Sequence, residues 1–214
     1  MAFSGHRRPG RPASDAVRER RQEEILQAAA RLFAERGFAE ADTQVLADML
    51  GVGKGTIYRY FPSKRELFLA AVDWAMRQLK GAVDAAMAAA ADPLEQMARV
   101  IETYLSFFAQ HPEYVELFVQ ERAQFKDRKK PTYFVHRDAN AERWREMSRR
   151  MIAEGRFRDI PVERILDVVG DMLYGTMFTN YFVGRARSPK EQAEDILDVA
   201  LHGLLSDGAR KEGS

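Results

Sequence analysis

The stretch from Thr43 to Lys64 constrains the fold more than any other part of the chain. Val45, Leu46, Met49 and Leu50 recur at helical spacing and stop at Gly51. Glycine adopts the left-handed conformation that a sharp helix stop needs. A second short run begins near Lys54 and ends before Pro62. Two brief helices joined by a glycine turn form the outline of a helix-turn-helix. Asp42 or Thr43 caps the first helix, and Val52 plugs the gap between the two.

The second helix is only about 12 Å long at ~1.5 Å per residue. A helix that short fits a major groove end-on with a few side chains at its start. Ile57 and Phe61, four residues apart, face inward. Lys54, Thr56, Tyr58, Arg59 and Tyr60 are left for the other faces. All are hydrogen-bond donors, which suits phosphate oxygens and base edges. Gly53 and Gly55 let the helix start lie close to an anionic backbone. Ser63, with Glu66 three residues on, opens the next helix as a capping box. Lys64 sits at that helix start, where a cation opposes the helix dipole. A phosphate contact would account for it.

The run Gly51-Val-Gly-Lys-Gly-Thr-Ile-Tyr-Arg-Tyr-Phe-Pro-Ser-Lys64, with Leu67 behind it, resembles the DNA-binding signature of the TetR family of bacterial transcription regulators. The resemblance spans residues 20 to 70; beyond it, the chain is similar only in length and all-helical pattern. One departure is Gly53, where serine is commoner in the family, so the recognition helix starts without a side-chain cap. The resemblance implies a homodimer that reads a palindromic operator in double-stranded DNA and leaves it when a small molecule binds. Thr43, Gln44, Lys54, Gly55, Thr56, Tyr58, Arg59, Tyr60 and Lys64 are the candidate DNA contacts. Tyr58 and Arg59, then Gln44 and Lys54, are assigned to base edges. Thr43, Thr56, Tyr60 and Lys64 are assigned to phosphates.

Charge distribution agrees with that placement. The net charge is only +1, but residues 1–65 hold 12 Lys or Arg against 8 Asp or Glu, and the rest hold 21 against 24. The surplus lies on the part expected to meet phosphates. Residues 1–17 read as a flexible arm whose Arg7, Arg8 and Arg11 add phosphate attraction or enter a minor groove. The chain has no cysteine, which excludes disulfides and thiolate metal sites and suits a reducing cytoplasm. No apolar run approaches the roughly 20 residues that span a bilayer. The N-terminal arginines have no apolar run behind them, so a secretory signal is not expected and neither is a membrane partner.

Helical spacing continues throughout, with no strand-like alternation and no repeat. The expected fold is all-α: a helix-turn-helix unit over 18–65, then a larger ligand-binding and dimerisation domain over 66–206 and a polar tail over 207–214. The first helix covers 18–36 and ends at Gly37. Ile25, Leu32, Phe33, Phe38, Leu46, Leu50, Ile57 and Phe61 form the small core. A long helix from Ser63 to about Ala91 follows, and by resemblance it joins the two parts. Further helices start at Asp92-Pro93 and after His111-Pro112, run over 132–154 and 162–183, and start again at Ser188-Pro189. The run Lys126-Asp-Arg-Lys-Lys130 before Pro131 reads as a solvated loop.

The helix at 162–183 is apolar nearly all round and must be covered on more than one face. With the last helix it forms the expected dimer face, through Val168, Val169, Met172, Ile196, Ala200 and Leu204. By resemblance, the middle helices enclose an effector pocket. Tyr104, Phe107, Phe108, Phe118, Trp144, Met147, Met151, Tyr174, Met177, Phe178 and Tyr181 are its candidate lining. Those residue types also build ordinary cores. If they line a pocket, its ligand is hydrophobic.

Catalysis finds no footing. The four histidines, His6, His111, His136 and His202, are far apart and match no metal-ligand spacing. Phosphate-binding loop, nucleophile elbow and dinucleotide fingerprint are absent. No catalytic residue, metal or cofactor is therefore assigned. The competing readings are a helical ligand- or partner-binding protein with vestigial DNA binding, and an activator of the same family.

Overall fold

The computed structural model describes residues 13–202. The arginines Arg7, Arg8 and Arg11, the dimer-face candidate Leu204 and the polar tail lie outside the described residues. Ten helices and no strand occur among the described residues: α1 (Ala13–Glu40), α2 (Thr43–Met49), α3 (Lys54–Tyr60), α4 (Lys64–Ala88), α5 (Pro93–Gln110), α6 (Pro112–Gln124), α7 (Thr132–Ala139), α8 (Ala141–Ala153), α9 (Val162–Val183) and α10 (Pro189–His202). None is long and apolar enough to cross a membrane.

The chain divides into two compact units between Trp74 and Ala75, inside α4. The first turns of α4 belong to the first unit because their side chains complete its core. Leu67, Phe68, Ala71 and Val72 are buried, and the Phe68 ring meets Phe33 at 5.1 Å and Phe38 at 5.4 Å. Ile25, Leu32, Phe33, Leu46, Ile57 and Phe61 are buried with them, as expected. Phe38 and Leu50 are only half-buried.

α1 differs from its expected bounds. It starts at Ala13 and breaks at Gly37 (φ 75°) without ending there. A further turn follows the break, and it brings Phe38 onto Phe33 and Phe68. α2 is capped by Asp42, whose carboxylate accepts from Gln44 N at 2.8 Å. It stops at Gly51 (φ 63°), where Val52 N donates back to the Ala47 carbonyl at 3.0 Å. α4 opens on the reciprocal Ser63–Glu66 box.

In the second unit α5 is the hub, packing on α6, α9 and α10. Asp92 caps it through Leu94 N and Glu95 N. The helix expected over 132–154 is broken at Asn140 into α7 and α8. Asn140 Nδ2 donates to the His136 carbonyl and holds that break. The loop before α7 has exposed Lys126, Lys129 and Lys130. Its inner anchor is the buried Glu121, which accepts from Thr132 N, Thr132 Oγ1 and the Arg128 guanidinium. Within one chain α9 is buried on one face. Met177 is its one fully buried residue, while Val168, Phe182 and Val183 are more than half exposed. A single chain does not cover that face.

Candidate nucleic-acid interface and effector cavity

α3 is positioned by one residue. Ile57 is fully buried, and rotation about it leaves Tyr58 and Arg59 exposed and Gly55 open. Gly53 at the start of α3 supplies no side-chain cap. Side chains of α2 and its cap take over the alignment. Lys54 Nζ donates to Asp42 Oδ1 at 3.1 Å, and the Thr43 and Tyr58 hydroxyls share a 3.1 Å hydrogen bond. Backbone donation from Gln44 and then the Lys54 ammonium hold the Asp42 carboxyl below its ordinary range. Gln44 Nε2 in turn donates to Asp48.

The remaining candidates are engaged in ways the residue pattern did not reveal. Thr43 is buried, so its part is to hold Tyr58. Thr56 is half-buried. The Tyr60 ring carries two guanidinium groups, Arg59 at 5.8 Å and Arg18 at 5.9 Å. Arg18, on α1, is a basic residue that sequence reasoning missed. Its only signal was its place early in the first helix. Lys64 Nζ donates to the Ala39 carbonyl at 2.8 Å and lies 5.0 Å from the centre of the Phe38 ring. The cation at the start of α4 thus has an intramolecular cause: it satisfies a carbonyl in the turn after Gly37.

The second unit holds a cavity of about 270 Å³ lined from α4, α5, α7, α8 and α9. Met76, Leu79, Met97, Val100, Ile101 and Met147 give it a buried apolar wall. Tyr104 and Tyr133 are its buried phenols, with hydroxyls 2.9 Å apart. Burial pushes the Tyr133 hydroxyl up to about 12 and also raises Tyr104 well above its ordinary value. Charged residues line its more exposed edge, and its lysine and arginines are paired. Lys80 and Arg143 both meet Asp84, and Arg145 meets Glu163 and Glu142. The Lys80 ammonium, then Arg143, hold the Asp84 carboxyl below its ordinary range.

Known proteins match both units. The family model described as "Bacterial regulatory proteins, tetR family" matches residues 25–71. The model described as "Tetracyclin repressor-like, C-terminal domain" matches residues 90–204, more than half of the chain. The chain belongs to the TetR family. It is similar to the HTH-type transcriptional repressor KstR2 of Mycobacterium tuberculosis, with 25% identity over 194 residues, covering 88% of this chain and 94% of that protein. Among solved structures it resembles the TetR family regulator PfmR of Thermus thermophilus, with TM-score 0.68 and 28% identity over 85% of this chain and 99% of that one. It shares its fold with FadR of Bacillus subtilis, solved in complex with stearoyl-CoA, with TM-score 0.73 and 17% identity over 86% of this chain and 99% of that one.

In this TetR-family chain the expected pocket and the observed cavity overlap only in part. Tyr104, Trp144 and Met147 line the cavity. Met151 does not, because it faces the core cluster of Met87, Met97 and Val100. Phe107 packs on His111 and Tyr114, and Phe108 on Tyr104 and Phe118. Tyr174 meets Phe178 edge to face and lies beside Tyr133 and Phe134. Met177 receives the Tyr104 hydroxyl on its sulfur, and Tyr181 donates to Glu116. Phe108, Phe118 and Met177 are buried there, and Phe107, Tyr174, Phe178 and Tyr181 are half-buried. His136, Leu166 and Leu173 were missed although they line the cavity. Single apolar residues on helices give no signal of which face borders a void.

The dimer-face candidates also divide. Val168 and Ala200 are exposed and Met172 is half-buried. Val169 borders the cavity. Ile196 is buried within the chain, on α10, which packs on α5.

Proposed function

We propose that this protein is a homodimeric regulator in the cytoplasm that represses transcription from a palindromic operator and is released by a small hydrophobic effector. The observation that carries the reading is α3. Its single inward residue is Ile57, and the opposite face offers Tyr58 and Arg59 beside the donors Gln44 and Lys54. Tyr58 and Arg59 reach base edges in the major groove. Thr56, Tyr60 and Lys64 hold phosphates, and Gly55 permits close approach. Thr43 acts through Tyr58.

Two reading heads must sit about 34–36 Å apart to contact successive half-sites on one face of a duplex. A second copy covers the exposed ridge of Val168, Phe182, Val183, Val199 and Leu201 on α9 and α10. An uncovered apolar ridge of this kind is a common mark of an interface. The effector occupies the cavity of the second unit. The repressor name of KstR2 supports the sign, and the stearoyl chain of the ligand in the FadR structure supports a hydrophobic ligand. FasR of Mycolicibacterium smegmatis, 30% identical over 106 residues, is named an activator.

The test is selection of bound duplexes from a random DNA pool, followed by salt titration of the winner. An enriched palindrome with a steep salt dependence is expected. A pool that stays random with both native and refolded protein would overturn the reading.

A further inference from the structure

We propose that the cavity takes a neutral, largely apolar ligand about two fused rings in size, carrying one carbonyl-type acceptor that Tyr133 receives. This rests on the effector reading above and names the class of ligand.

Size comes first. An apolar cavity of about 150 Å³ holds one benzene ring. The cavity here is about 270 Å³, and its buried wall is methionine and branched aliphatic. It suits a compact body of two rings.

Charge comes next. The cations around the cavity already have acids. Lys80 and Arg143 face Asp84, Arg145 faces Glu163, and Arg137 lies 3.5 Å from Asp171. A carboxylate or phosphate on the ligand would have to displace one of those acids or stay unpaired at low dielectric. A neutral ligand meets neither cost.

The acceptor follows from the phenol pair. Tyr104 and Tyr133 share one hydroxyl–hydroxyl bond of 2.9 Å, and Tyr104 also donates to Met177 Sδ at 3.5 Å. A thioether is a weak acceptor. A ligand carbonyl is a stronger acceptor and accepts a hydrogen bond from the Tyr133 hydroxyl, with Tyr104 turning to donate to the Tyr133 oxygen. The exchange gives up only the contact to sulfur. Burial keeps both phenols protonated at neutral pH, so they are donors there.

Trp144 lines the cavity, so its emission reports occupancy. The full chain is titrated with 1-decalone, with decalin and with decalin-1-carboxylate, and so is Tyr133→Phe. The ketone is expected to bind at least about tenfold more tightly than the carboxylate. Tyr133→Phe should weaken the ketone by about fivefold to tenfold, the range of one hydrogen bond, and leave decalin unchanged. Unchanged decalin binding also shows that the variant is folded. A carboxylate that binds as tightly as the ketone overturns the neutral class while the effector reading stands. Equal ketone affinity in both proteins overturns the role of Tyr133, again without touching that reading. Failure of all three probes overturns this proposal and the cavity as effector site together.

Discussion

In the unit up to Trp74, the polar side chains of α2 and the start of α3 are tied to one another inside one short motif. Asp42 holds Lys54, Thr43 holds Tyr58, and Gln44 holds Asp48. In the unit from Ala75 on, polar ties reach much further along the chain. Arg143 meets Asp84, Arg156 meets Asp92, and Tyr181 meets Glu116. The first pattern aligns two short helices whose outward donors stay near solvent. The second clamps long helices around an interior that is left partly empty. A reading surface needs fixed geometry, which local ties provide; an effector site needs a void, which only packing between distant segments leaves.

The comparison predicts that each unit can be broken by one buried residue. The largest effect is expected for Glu121→Ala. Thr132 is buried and would lose the acceptor for both its amide and its hydroxyl, while Arg128 would lose its carboxylate. Removing one member of a buried charged network costs about 4 kcal/mol. Urea unfolding measures it, and a loss within ~0.5 kcal/mol of zero would mean that solvent replaces the carboxylate there. Ile57→Ala should follow, at about 3 kcal/mol, because a fully buried side chain leaves a hole under α3. It should abolish duplex binding and leave probe binding in the cavity intact. Loss of both activities would contradict the division of labour between the units.

The same contrast explains what the residues revealed. Glycines, prolines and caps punctuate the chain locally, so most helix boundaries were legible. Asp92, Ser63 and Ser188 cap where their spacing says. The break at Asn140 was not legible, because Asn140 lies between two segments of continuous helical periodicity and its bond to the His136 carbonyl is visible only in three dimensions. Gly37 was legible as a break but not as a bridge to one more turn. The outward face of α3 could be listed from its own residues, since Ile57 fixes which way the others point, whereas the inward turn of Thr43 could not. Nor could the cavity lining. Whether Met147 borders a void and Met151 a core depends on how α8 lies against distant helices.

Lys64→Ala sharpens the comparison at the reading surface. The lysine has two partners in its own unit, the Ala39 carbonyl and the Phe38 ring. If it also holds a phosphate, the variant binds every duplex more weakly and its salt slope falls by about 1. If it only staples the turn after Gly37, stability drops slightly and the slope is unchanged. The first outcome is expected, because Nζ is exposed and an ammonium has three donors. Binding measured from 50 to 200 mM salt (about the range where phosphate contacts dominate) separates the two.

The smallest effect is expected for Asp42→Asn, and it tests whether local ties restrain the reading surface as well as align it. Asparagine still caps α2, because its amide oxygen can accept from Gln44 N. What disappears is the negative charge beside Lys54. Freed of its partner, Lys54 turns to phosphate, so non-specific binding should tighten and the salt slope steepen by about 1. A flatter slope would show that Asp42 positions Lys54 for the duplex. The pH dependence has a defined sign. The folded-state pKa of Asp42 lies below its ordinary 3.8, through Gln44 N–H first and Lys54 second. Its contribution to stability is therefore full above that ordinary value and is lost as pH falls through the lowered one. The stability difference between wild type and Asp42→Asn should stay constant from neutral pH down to about pH 5 and shrink only below about pH 4. A difference that already fades near pH 6 would place the titrating group elsewhere.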